Sequence, residues 1–85
     1  MTMKRYELIA QAIEQTPAEA VRTLIDQGAL SPCYLRYPEI CKEYERLRSE
    51  GIRPMAAIRI VAIRFELTEG YARNVVARYT RNAHN

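Results

Sequence analysis

Proline and glycine punctuate this chain at intervals that suit short helices, and no stretch alternates with period two for long enough to be a strand. The first piece predicts a helix from about Thr2 to Gln15. Tyr6, Ile9 and Ile13 lie on one face of it, with Leu8 and Ala12 beside them. Thr16-Pro17 ends that helix and starts a second. Thr16 is the expected cap, Pro17 suits the first helical position, and Glu19 completes a capping box. Val21, Leu24 and Ile25 form its apolar stripe, and Gly28 is a left-handed stop over which Leu30 can fold back. Pro32 and Pro38 bracket a loop or single turn. A third helix, Pro38 to Glu50, follows, with Ile40, Tyr44 and Leu47 inward and Gly51 as its stop. Pro54 opens a fourth helix, Met55 to Phe65, and Thr68 caps a fifth that runs to about Arg81. The expected fold is all-α, with four or five helices in a single domain spanning 1–85.

At 85 residues the chain has material for one modest core. Its 48% hydrophobic and 27% charged residues are those of a globular protein, and no apolar run approaches the ~20 residues that cross a bilayer. Glu7, Gln11 and Glu14 interrupt the segment after Lys4 and Arg5, so it does not read as a signal peptide, and the expected address is the cytoplasm, away from membranes. Cys33, Cys41 and His84 do not make a zinc site. The two thiols read as semi-buried and unpaired, and no cofactor or metal is expected. An enzyme is not expected either. The chain lacks an internal histidine, a nucleophile–base pair and a phosphate loop.

Charge is unevenly placed. The net charge is +3, yet residues 1–51 hold seven Lys and Arg against eight acids, whereas residues 52–85 hold six arginines against two glutamates. The second part is therefore +4, and all its bases are the residue suited to bidentate phosphate contacts. A polyanion is the expected partner of that half.

The last two helices are separated by Glu66-Leu67 and the cap at Thr68, the tight spacing of a helix-turn-helix. Ala62 supplies a small residue for a close crossing, and Phe65 and Leu67 supply buried positions around the turn. Ala72, Val75, Val76 and Tyr79 fall within about 100° of one another on the fifth helix. The opposite arc carries Gly70, Arg73, Asn74, Ala77, Arg78 and Arg81, with Glu69 at its margin. Arginine pairs with guanine and asparagine with adenine in the major groove. Thr68 and the free N–H groups of the first turn suit a phosphate. Tyr71 lies at the edge of both faces, suited either to the core or to a DNA contact. A plainer reading leaves the arc solvated, since Arg78 and Arg81 also suit a helix C-terminus.

The segment Ala62 to Val76, AIRFELTEGYARNVV, resembles the helix-turn-helix of bacterial and phage DNA-binding proteins. Similar segments occur in the tri-helical domains of site-specific recombinases, phage activators and small terminase subunits. The resemblance extends from Gly51 to about Arg81. It implies double-stranded DNA as partner, with Thr68–Arg81 in the major groove. It also places Glu69, Gly70, Arg73, Asn74 and Arg78 at positions that commonly face DNA, and Phe65, Leu67, Ala72 and Val75 at positions that hold the motif together. The function implied is transcriptional regulation, including that of a mobile element, with residues 1–50 as bracing or assembly helices for 51–85. One position departs from the pattern: Glu66 stands where glycine is usual. If that residue must be left-handed, the side chain costs ~1 kcal/mol.

The fourth helix carries more apolar surface than a DNA reader needs. Met55, Ile58, Val61, Ala62 and Phe65 form one face, and Ala56, Ile60 and Ile63 form another between Arg59 and Arg64. The favoured expectation is that the N-terminal helices pack on the Ala56, Ile60, Ile63 stripe. The alternative is a second subunit, giving a homodimer that reads two half-sites. The same stripe motivates a competing function, a helical protein-interaction module that keeps the shape without binding DNA.

Overall fold

The computed structural model describes residues 3–83. Among them are five α-helices: α1 (Arg5–Gln15), α2 (Ala18–Asp26), α3 (Tyr37–Ser49), α4 (Pro54–Arg64) and α5 (Glu69–Tyr79). A single 3₁₀ turn, Pro32–Leu35, precedes α3. The all-α expectation holds, and the only extended pairing among the described residues is a lone antiparallel bridge between Lys4 and Asn82.

α3 is the central element. It packs on α1, α4, α5 and the 3₁₀ turn, while α4 and α5 also pack on each other. The core follows from this arrangement. Ile40, Cys41 and Leu47 of α3 meet Ala57, Ile58, Val61 and Ala62 of α4 and Ala72, Val75 and Val76 of α5. Ala57, Ala62 and Ala72 are all buried. Their small side chains let these helices approach closely, as expected for Ala62. α1 contributes a single buried residue, Tyr6. It is tied to α3 through Glu45, whose carboxylate accepts hydrogen bonds from the Tyr6 hydroxyl and the Lys4 ammonium.

Three helices end by the same device. Gly28, Gly51 and Glu66 each follow a helix in the left-handed region, with φ of 76°, 90° and 56°. After α2, the Gly28 and Ala29 amides donate to the Ile25 and Leu24 carbonyls at 3.0 and 2.9 Å. After α3, Gly51 and Ile52 donate to Arg48 and Leu47 at 3.0 and 3.2 Å. After α4, Glu66 and Leu67 donate to Ile63 and Ala62 at 3.3 and 2.8 Å. This is the Schellman pattern, which satisfies carbonyls that the helix leaves free. Glu66 is the only non-glycine residue with positive φ among the described residues.

Several sequence expectations are corrected. α1 starts at Arg5, and Thr2 lies outside the described residues. Thr16 does not cap α2: its hydroxyl donates back to the Ala12 carbonyl at 2.7 Å, and Pro17 takes the N-cap position. The α1 backbone's own free acceptor outcompetes a cap across the Pro17 bend. α5 ends at Tyr79, so Arg81 lies beyond it. The N-terminal helices do not cover the Ala56, Ile60, Ile63 stripe. α1 docks on α3 and α5, because Tyr6 and Lys4 find a carboxylate on α3. Ile60 is half-buried against the core, Ala56 is exposed, and Ile63 is 78% exposed. Met55, expected inward, is 48% exposed near the start of α4.

Glu66 is exposed and joins no ion pair among the described residues, so its backbone strain has no offsetting contact there. Glu66→Gly is expected to raise unfolding stability by about 1 kcal/mol. Urea denaturation of the two proteins checks this, and a neutral or destabilising result would contradict the strain.

Candidate nucleic-acid interface

Four residues, Phe65 to Thr68, connect α4 to α5, and their conformation aims α5. Phe65 and Leu67 are half-buried against the core. Arg36, at the start of α3, braces this connection from outside. Its Nη2 donates to the Phe65 carbonyl at 2.8 Å, and its guanidinium lies 5.7 Å from the Phe65 ring centre. A cation there also meets the negative end of α4. Thr68 then caps α5, its hydroxyl oxygen accepting the Tyr71 amide at 3.1 Å. Glu69 in the first turn suits the positive end of the helix.

The two arcs read from the sequence are separated by burial. Ala72, Val75 and Val76 are buried and Tyr79 is half-buried. Thr68, Glu69, Arg73, Asn74, Ala77 and Arg78 are exposed, and Gly70 is half-buried with open space where a side chain would stand. Tyr71 is 37% exposed, at the border of the two arcs as expected. Arg81 is also exposed, but its place is fixed by the backbone beyond α5. The Arg5 amide donates to the Arg81 carbonyl at 2.8 Å, and the Ala83 amide to the Met3 carbonyl at 2.8 Å.

Ion pairs take up some of the basic side chains, while others, Arg22, Arg36, Arg48 and Arg53 among them, pair with no carboxylate among the described residues. Glu43 takes both Arg46 and Arg64, Glu50 takes Arg46, and Glu45 takes Lys4. Glu69 lies 3.4 Å from Arg59, a pair more than half exposed on both sides and so worth little to stability. It does offset the one acid at the margin of the outward arc. Among the described residues, Arg73, Arg78 and Arg81 pair with no carboxylate.

Beside the arc runs an open concavity of about 480 Å³. Tyr71, Asn74, Ala77, Arg78 and Arg81 line it, and so do Arg5 and Tyr37. Tyr37 stacks on Tyr79 with ring centres 4.4 Å apart and meets Tyr34 edge-on at 5.2 Å. The neighbouring Tyr71 hydroxyl, with burial second, pushes the Tyr37 phenol up to about 12. Both Arg5 and Tyr37 escaped the sequence reading. Arg5 lies far away in the chain, and only the pairing of the two chain ends brings it here. Tyr37 carried no signal, because the sequence places it in the turn bracketed by Pro32 and Pro38, whereas it is the half-buried first residue of α3.

The remaining candidates fall outside this surface. The thiols are not alike: Cys33 is exposed, whereas Cys41 is fully buried and burial pushes it up to about 12. His84 lies outside the described residues. No cluster of metal-binding side chains occurs among the described residues, and no helix is long and apolar enough to cross a membrane. Comparison with family models, curated proteins and solved structures finds no match to this chain.

Proposed function

We propose that this protein binds double-stranded DNA through α4, the Phe65–Thr68 turn and α5, acting as a helix-turn-helix of a transcriptional regulator such as one carried by a mobile element. The observation that carries the reading is the outward arc of α5. Arg73, Asn74 and Arg78 stand exposed without an acidic partner, directly opposite the buried Ala72, Val75 and Val76. An arginine-bearing helix face with small residues between its readers suits the major groove, where arginine and asparagine make bidentate contacts to guanine and adenine. Gly70 and Ala77 leave room for the groove wall. The cap at Thr68 takes up the Tyr71 amide, and the earlier N–H groups of the first turn of α5, which lack helix partners, suit a backbone phosphate. α3 serves as the supporting helix behind both. The cytoplasm, where chromosomal and phage DNA are available, is the compartment this function requires.

Duplex binding should fall steeply as salt rises, because neutralised phosphates release counterions. Arg73→Ala with Arg78→Ala is expected to weaken duplex binding by at least about tenfold at fixed salt. Absence of duplex affinity at low salt, or affinity untouched by the double substitution, would sink this reading.

A second reading makes the chain a protein-interaction module, and a different surface favours it. α2 buries none of its side chains, and an apolar groove lined by Ile9, Ile13, Val21, Leu24, Leu30 and Tyr34 lies open between it and α1. The chain exposes 6002 Å², whereas a compact monomer of 9.9 kDa exposes about 5200 Å². The radius of gyration, 13.7 Å, likewise exceeds the roughly 12 Å of a compact chain this long. A second copy seated through α1 and α2 would cover that groove. Sedimentation at rising concentration should then show a dimer that Leu24→Asp dissociates, whereas a monomer throughout would exclude this pairing.

A further inference from the structure

We propose that Arg5, Arg78 and Arg81 form a clamp for a phosphate of the DNA backbone, assembled by the pairing of the two chain ends. The inference rests on the DNA-binding reading and adds to it a contact from outside α4 and α5. All three arginines line the same open concavity, and no carboxylate lines it with them. None of the three is in an ion pair among the described residues. Their placement is imposed by backbone bonds: Arg5 donates its amide to Arg81, and Ala83 donates to Met3. These bonds hold like charges together whatever their side chains would prefer.

Helix electrostatics explain only part of the cluster. Arg78 in the last turn of α5 complements that helix's negative end. Arg5 is the first residue of α1, at the positive end, where a cation is unfavourable. Its neighbour Lys4 is compensated by Glu45, but Arg5 has no such partner among the described residues. An anion in the concavity would supply one. The donor set around it suits phosphate oxygens: guanidinium forks bind them in bidentate fashion, and the Asn74 amide and Tyr71 hydroxyl can donate as well. The concavity is open and continues through Asn74 and Ala77 onto the outward arc of α5. A backbone phosphate flanking the groove that α5 enters would therefore reach it without leaving the duplex.

The test compares duplex binding across a salt series for the wild type, Arg5→Ala, Arg5→Lys and Arg22→Ala. Arg22 lies exposed on α2, away from this surface. Arg5→Ala should weaken binding to all sequences alike and flatten the slope of log affinity against log salt by about 0.9. Arg5→Lys should keep the slope, and Arg22→Ala should behave as wild type. Circular dichroism checks that each variant is folded. If the wild type binds duplex and Arg5→Ala keeps both slope and affinity, the clamp is overturned while the DNA reading stands. If the wild type has no duplex affinity, both fall. Inorganic phosphate, titrated alone, separates the sources: tight binding that Arg5→Ala abolishes, without any effect on duplex binding, would make this a free-anion site and overturn the assignment.

Discussion

The reversal of the chain at Glu66 determines where α5 points. A left-handed residue there ends α4, lets the Leu67 amide close on the Ala62 carbonyl, and drops Leu67 against the core. Thr68 then falls at the position from which its hydroxyl can cap α5. Arg36 holds the same corner from the side of α3 by bonding the Phe65 carbonyl. Glycine would adopt this conformation without strain. The glutamate does so because the hydrogen bonds on either side, the buried alanines of α4 and α5 and the Arg36 brace leave the chain no better path. The orientation of the outward arc is therefore a consequence of packing, and a loosened corner would blur it.

Charge is distributed by the same architecture. Two acids of α3, Glu43 and Glu45, are half-buried and taken up by Arg46, Arg64 and Lys4. The arginines of α5 and Arg5 face a surface with no acid of its own apart from Glu69, which Arg59 partners. A cluster of arginines without acidic partners raises the local positive potential, the kind of field that draws anions before contact.

The pattern of helices was legible because each carries its own local instructions. Gly28 and Gly51 mark their stops, Pro54 opens α4, and Thr68 caps α5. The apolar periodicity of Ile40–Leu47 and Ala72–Val76 gave the inward faces. The outward arc of α5 followed from the same periodicity. What could not be read depends on contacts between distant parts of the chain. Thr16 looks like a cap, yet it bonds backward into α1. The Ala56, Ile60, Ile63 stripe looks like a docking face. α1 is instead drawn to α3 by Glu45, a residue with no periodicity to announce it. Arg5 joins Arg78 and Arg81 only through the bridge between Lys4 and Asn82, a long-range pairing of segments that lack any strand signal. Local signals located α5 and its outward arc, and tertiary contacts supplied their neighbours.

The central claim is that the outward arc of α5 is a surface for DNA, and amide chemical shifts during titration with a duplex test it most directly. The account predicts that shifts concentrate at Gly70, Arg73, Asn74, Ala77 and Arg78, extend to Arg5 and Arg81, and spare Ala18–Asp26 of α2. Shifts confined to α2, or none at any duplex concentration at low salt, would contradict it.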